Sequence, residues 1–208
     1  MPLDHQHVPG LVEAAGGDRE SFRYTGVPLA DRDSVSAYVQ AACRARDAGT
    51  ALPFATMRIG DAGAHTVVGS TRFTAIERWV WPVAVPVPEE VDQRDGPESV
   101  EIGSTWLHPD SQRSGINLEA KLLMLTHAFE TWKCFRVTLR SDERNAASRA
   151  SIESLGCRLE AIVRSQMYGY DGTIRNTAQY AILAEDWPRA RERLEARLRR
   201  GDAVTLQR

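Results

Sequence analysis

Cysteine is scarce in this chain: three in 208 residues, Cys43, Cys134 and Cys157. The number is odd and the spacings are wide, which excludes a disulfide framework and predicts free thiols in a reducing, cytoplasmic compartment. The five histidines (His5, His7, His65, His108 and His127) do not fall at ligand spacing with the cysteines, so no metal is expected. His5 and His7 read as polar residues of a flexible terminus. A charge excess is lacking too. The net charge is -2, with both signs mixed along the chain. That leaves no basic stripe for a nucleic acid. No apolar run approaches the ~18 residues of a membrane span, and no signal-peptide pattern opens the chain. The phosphate loops G-x-x-x-x-G-K-[ST] and G-x-G-x-x-G are absent. So is the G-x-S-x-G elbow of α/β-hydrolases. No internal repeat and no low-complexity segment occurs.

What is present is a hydrophobic fraction of 42%, enough for one sizeable core and a single domain over residues 1–208. Residues 8–15 and 31–47 read as helices, the second with Asp33 or Ser34 as N-cap and Gly49 as its stop. Residues 51–59 and 65–76 are β-rich and joined by a turn at Gly60, Asp61 and Gly63. Residues 77–99 carry four prolines, which predicts an insertion rather than a central strand. Its Trp79 and Trp81 either line a substrate mouth or cap the core edge. Residues 100–107 predict a strand. Residues 115–132 predict the strongest helix, with Leu118, Leu122, Leu125, Phe129 and Trp132 on one stripe. A strand at 135–141, a helix at 145–155 closed by Gly156, a hairpin turned at Asp171-Gly172 and a helix at 186–200 follow. In the last helix Asp186 is the expected N-cap, and Glu192 and Glu195 break up the arginines into a solvated face. The order predicts a mixed α/β sheet flanked by helices.

The chemistry concentrates after the strand at 100–107. The loop runs His108-Pro109-Asp110-Ser111-Gln112-Arg113-Ser114-Gly115-Ile116-Asn117 into the strong helix. The first N–H groups of a helix have no partner within it and attract anions. Gly115 lets a phosphate approach the backbone, and Arg113 adds a positive charge. An ordinary strand-to-helix turn would use the same glycine.

Gln112, Gly115 and Asn117 resemble the Q/R-x-x-G-x-G/A acetyl-CoA motif of the GCN5-related N-acetyltransferases (GNAT). Asn117 departs from the small third residue. Asp142-Glu143-Arg144-Asn145-Ala146-Ala147-Ser148 and Leu155-Gly156-Cys157 are similar to the next family landmarks, with Cys for Phe. Glu160-Ala161, Arg164, Asp171-Gly172 and Arg175-Asn176-Thr177 resemble the ribosomal-protein (RimJ/RimL-like) branch. The resemblance covers about residues 50–200. It implies a GNAT fold whose sheet is splayed between its fourth and fifth strands, at 100–107 and 135–141, with the acyl-CoA core at about 98–160. The usual first strand is short or lost here.

The resemblance further implies acyl transfer from acetyl-CoA, or another acyl-CoA, to a primary amine of a protein N-terminus or a small molecule. Trp106, Leu107, His108, Gln112, Arg113, Ser114, Gly115, Ile116, Asn117, Asn145 and Ser148 would hold the CoA. The exposed flank of the last helix would pair two copies as a homodimer. Glu101 is the candidate base, because a carboxylate inside such a strand is unusual; His108 is second. Alternation puts Glu101, Gly103 and Thr105 on one face, and Ile102, Ser104 and Trp106 on the other. Many family members use a Tyr as proton donor, but Ile152 stands at that position. Ser148 is the substitute candidate. Ser148 and Asn145 also read as parts of a helix cap. Glu160, Arg164, Tyr168 and Arg175 either shape the acceptor site or form an ion-pair network. The alternative reading is a non-catalytic acyl-CoA-binding module.

Overall fold

The computed structural model describes residues 1–60, 63–89 and 95–201. Asp61 of the expected turn and residues 90–94 of the Pro-rich stretch lie outside the described residues. The helices are α1 (Val8–Ala14), α2 (Arg32–Asp47), α3 (Ile116–Thr126), α4 (Ala146–Ser154) and α5 (Trp187–Arg200). The strands are β1 (Leu52–Ile59), β2 (His65–Glu77), β3 (Ser99–Leu107), β4 (Arg136–Asp142), β5 (Arg158–Tyr168) and β6 (Ile174–Leu183). They form one mixed sheet in the order β1-β2-β3-β4-β6-β5. Only β3 and β4 run parallel to each other, and they pair over three positions, Ser99 to Glu101 against Arg136 to Thr138. Beyond Glu101 the two strands part. Because a parallel pair needs a crossover, α3 must pass from the end of β3 to the start of β4.

Two cores cover the two faces. One joins Phe73, Val100, Ile102, Val137, Leu139 and Tyr180 of the sheet to α3, α4 and α5. Leu118, Leu125 and Phe129 of the expected stripe are buried there, with Leu122 and Trp132 at its edge. The other joins Ala55 and Trp106 to α1 and α2 through Leu11, Val35, Val39 and Ala42. The helix expected at 115–132 is α3 followed by a π turn over His127–Thr131.

Several local expectations need correction. The N-cap of α2 is Asp31, whose carboxylate accepts from the Ser34 N–H at 2.8 Å; Asp33 and Ser34 sit inside the first turn. Asp186 does occupy the N-cap position of α5, but its side chain makes no capping bond and pairs with Arg158 at 2.7 Å. The N-terminus is tied down rather than flexible: the Met1 ammonium donates to Ala55 O at 3.1 Å, and Leu3 N donates to Pro53 O at 2.9 Å. The lost first strand survives as one bridge, Pro2 to Phe54. The sheet's opening therefore falls between the third and fourth strands of this chain.

Alternation also fails along β3. Ser104 has φ +48, and the register with β2 shifts between Ser70 and Arg72. A bulge inserts one residue and reverses the faces beyond it. Thr105 thus points to the α3 side, like Ile102, and Trp106 points to the α2 side, like Glu101.

Candidate active site

The parting of β3 and β4 opens a slot, and the loop after β3 stands at its wide end. His108 starts that loop: its Nδ1 accepts from the Asp110 N–H at 3.2 Å and so caps the one-turn helix Pro109–Ser111. The imidazole is thereby engaged in holding the turn. Gln112 donates back to Leu107 O at 3.2 Å, and Ser114 Oγ donates to Ser111 O at 2.6 Å. Arg58 donates to the buried Ser111 hydroxyl at 2.6 Å. The chain then passes through two left-handed residues, Arg113 (φ +57) and Gly115 (φ +88). Gly115 is the N-cap of α3, and a Cβ placed on it would meet nothing within 4 Å. Its conformation, rather than crowding by this chain, is what favours glycine.

The first i→i−4 bond of α3 runs from Glu119 N to Gly115 O at 3.0 Å. Helix geometry therefore leaves the N–H groups of Ile116, Asn117 and Leu118 facing outward beside open space. That is the arrangement an anion needs. Asn117, the departure from the family's small residue, donates to Ser151 Oγ of α4 at 3.3 Å. It ties the two helices that border the slot. Trp106 serves packing instead: its indole N–H donates to Tyr38 Oη at 3.2 Å and its ring is buried against Phe22 and Tyr38.

Asn145 caps α4, its Oδ1 accepting from the Ser148 N–H at 3.0 Å. Ser148 thus lies in the first turn of α4, half-buried. Ile152 is buried in the core, so that position packs. Asp142 precedes this turn and is gripped by Arg144 at 2.7 Å, which lowers its pKa through the hydrogen bond. Arg144 also reaches Asp171 at 2.9 Å and stacks over the Tyr24 ring at 4.9 Å. The landmarks at 142–145 and 171–172 are thus one network.

Glu101 lies at the last paired position of β3, opposite Thr138 of β4. Its side chain is 16% exposed and pairs with Arg140 at 3.1 Å. Burial pushes its carboxyl above the usual glutamate value; Arg140, and less so Arg175, pull against that shift. A carboxylate held between burial and a guanidinium is poised to take a proton. On the same face a cavity of about 360 Å³ is lined by Glu77, Trp79, Ser99, Thr138, Arg140 and Gln179. Trp79 of the Pro-rich stretch stacks on Phe135 at 5.6 Å, so it both edges the cavity and covers the start of β4. Glu160 pairs with Arg136 at 2.6 Å, Arg164 and Tyr168 are exposed, and Arg175 is buried.

One site residue escaped the sequence reading. Lys121 of α3 is 3% exposed, and its ammonium donates to Thr105 Oγ1 at 2.6 Å and Thr71 Oγ1 at 2.9 Å. Burial pushes its pKa down to about 7. It pins the strand just past the Ser104 bulge. The signal was there: Lys121 lies three residues after Leu118 and four before Leu125, on the apolar stripe itself. The neighbours Asp4 and His5 also meet the distant Cys43, with potential ligand atoms within 4.8 Å of one another. Asp4 Oδ1 already accepts from the His5 N–H at 2.6 Å. Among the described residues no helix is long and apolar enough to cross a membrane.

Solved structures share this fold. A GCN5-related N-acetyltransferase from Brucella melitensis is 25% identical, over 95% of this chain and 80% of that one, with a TM-score of 0.74. Mycobacterium smegmatis RimJ, solved in complex with CoA-disulfide, is 22% identical over 95% and 88%, with a TM-score of 0.71. An acetyltransferase from Salmonella typhimurium that modifies the N-terminal serine of a 50S ribosomal subunit protein is 18% identical over 88% and 92%, with a TM-score of 0.66. No curated protein matches the chain. The family model described as an acetyltransferase (GNAT) domain matches residues 1–158. The overall fold is therefore shared, and this chain belongs to the GNAT family as an acyl-CoA-dependent N-acetyltransferase.

Proposed function

We propose that this enzyme moves an acetyl group from acetyl-CoA to a primary amine, of a protein N-terminus or of a small molecule, by direct attack within the slot between β3 and β4. The whole of residues 1–208 acts as one unit, with 77–99 as an insertion at the acceptor mouth. Residues 107–117 receive the CoA pyrophosphate, because α3 leaves its first N–H groups free beside Gly115 and the exposed Arg113 adds a positive charge to the same loop. Asn145 holds the pantetheine amide.

The observation that carries the mechanism is the position of Glu101. It lies where the strands part, mostly buried, with one arginine partner. An amine attacks only when neutral, and ordinary amines are protonated near neutral pH. Glu101 takes the proton, directly or through a water. The nitrogen bonds to the acyl carbon, the carbon–sulfur bond breaks, and Ser148 donates a hydrogen bond to the departing sulfur. A raised carboxyl pKa narrows the gap between base and amine. Two copies pair through the exposed flank of α5.

Calorimetric titration of acetyl-CoA tests the donor half, with Gly115→Glu as control. Binding in the parent and about 100-fold weaker binding in the variant is expected. A parent protein that takes up no acetyl-CoA would overturn the assignment of the loop. Sedimentation of the free protein as a monomer would remove the pairing.

A further inference from the structure

Three arginines border the slot on the face that carries Glu101, and among the described residues one of them, Arg140, has an ion-pair partner. Arg140 is paired with Glu101 itself. Arg72, on β2, stands opposite Gly103 of β3, so it belongs to the β3 lip. Its guanidinium is held over the Tyr38 ring at 5.0 Å. Arg175, on β6, lies two residues before Thr177, which pairs with Asp142 of β4, so it belongs to the opposite lip. Alternation fixes the face. Phe73 and Ala178 point into the core with α3, so Arg72, Arg175 and Thr177 point the other way.

Parts of these side chains are buried without a hydrogen-bond partner, although Arg72 itself is only half-buried. Arg175 is 9% exposed and Thr177 fully buried. The Nε–H groups of Arg72 and Arg175 and the Thr177 hydroxyl have no hydrogen-bond partner among the described residues. Buried polar groups are normally satisfied, and a buried guanidinium without a counter-charge is strongly unfavourable. Two carboxylates within electrostatic reach of Arg175, Glu101 and Asp142, each already hold another arginine. The unsatisfied Nε–H donors are what a carboxylate arriving with the substrate would bond.

We propose that the amine acceptor carries a carboxylate close to its amine, and that Arg72 and Arg175, from the two lips of the slot, hold this carboxylate while Glu101 faces the amine. This rests on the acyl-transfer reading above. The guanidinium fork matches a carboxylate in shape as well as charge. An acceptor bearing only an ammonium would meet two uncompensated cations, so the same pair selects against it. The carboxylate has two sources: the α-carboxylate of a free amino acid, or an acidic side chain at the start of a peptide.

The experiment compares matched acceptors in acetyl-CoA turnover. One arm sets free amino acids against their amides. The other sets short peptides with Glu as second residue against the same peptides with Gln. The carboxylate member of the productive arm should show a kcat/KM about 10- to 100-fold higher, as for charge-assisted buried contacts. Arg72→Gln and Arg175→Gln should each collapse that ratio toward one while leaving the acetyl-CoA titration unchanged. Equal rates for acids and neutral partners in the parent enzyme would overturn the proposal. So would a ratio that survives both substitutions. If Arg175→Gln fails to fold, the more exposed Arg72→Gln carries the test alone. If no acceptor is turned over, titration of the same pairs into CoA-loaded protein replaces the rate, and equal affinities overturn the proposal there. A chain that neither binds nor consumes acetyl-CoA refutes the parent reading instead, which separates the two failures.

Discussion

Residues 107–118 bring the whole loop and helix start of the proposed donor side together in one stretch of chain, whereas the proposed acceptor side draws Arg72 from β2, Glu101 from β3, Arg140 from β4 and Arg175 from β6. The first is local: its geometry follows from a capped turn, two left-handed residues and the free N–H groups of a helix. The second exists only once strand order and register are set. Local chemistry leaves a motif, and assembled chemistry does not. The two sides should therefore respond separately to substitution, one in cofactor affinity and the other in turnover.

The largest separation is expected at Glu101. Glu101→Gln should lower kcat by about 10²- to 10⁴-fold, the range for loss of a general base, with acetyl-CoA affinity unchanged. The pH profile sharpens this. Burial raises the Glu101 carboxyl, so its ionised form is lost as pH falls through a value above that of ordinary glutamate. The acid limb of kcat/KM should report that loss. Arg140 is the main influence holding the pKa down, so Arg140→Gln should move the limb to higher pH. An acid limb that persists unchanged in Glu101→Gln would remove the base role.

The converse change is Gly115→Glu. It forces a side chain onto φ +88 and sets a carboxylate against the approaching phosphates. Like charges brought together cost several kcal/mol, so acetyl-CoA should bind about 100-fold more weakly. Calorimetry measures this directly. The same loss with Gly115→Ala would shift the cause from charge to backbone strain.

Lys121 joins the two sides, since it hangs from α3 and pins the strand beside the bulge. Its folded pKa, about 7, lies below the 10.5 of a free lysine. Between those values the unfolded chain binds more protons than the folded one, so stability should rise with pH from about 7 upward. The gain is about 2 kcal/mol between pH 7 and 9. Lys121→Met should remove that slope. Denaturant midpoints across the range decide it, and parallel curves for the two proteins would show that the ammonium is better solvated than its burial implies.

The sequence showed most of this frame, because periodicity and glycine placement are local. The strands, the apolar stripe on α3, the capped turn at Asn145 and the glycine at φ +88 all follow from neighbours in the chain. What it hid depends on partners far away. The Ser104 bulge arises where β2 and β3 fall out of register, so simple alternation put Thr105 on the wrong face. Asp186 sits at the N-cap as its sequence position suggests, but its carboxylate is drawn to Arg158 rather than to the helix. The first strand is reduced to the Pro2 to Phe54 bridge, which no periodicity marks. Arg72 looks like an ordinary strand arginine, and Arg175 reads equally as an acceptor-site residue or a member of an ion-pair network; the unsatisfied Nε–H of each is a property of the assembled slot.

Asn145 offers the finest division, because one side chain has two tasks. Its Oδ1 caps α4 through the Ser148 N–H. Its amide group is the proposed donor to pantetheine. Asn145→Ala removes both and should cost about 1 kcal/mol of stability, as lost caps do. Asn145→Asp keeps an equally good cap and removes the amide donor. It should leave the unfolding midpoint in place and still weaken acetyl-CoA by several-fold, the value of one lost hydrogen bond of about 1 kcal/mol. If Asn145→Asp restores affinity along with stability, the residue acts only as a cap, and the turn at 142–145 serves the slot through the shape of α4 rather than by touching the cofactor.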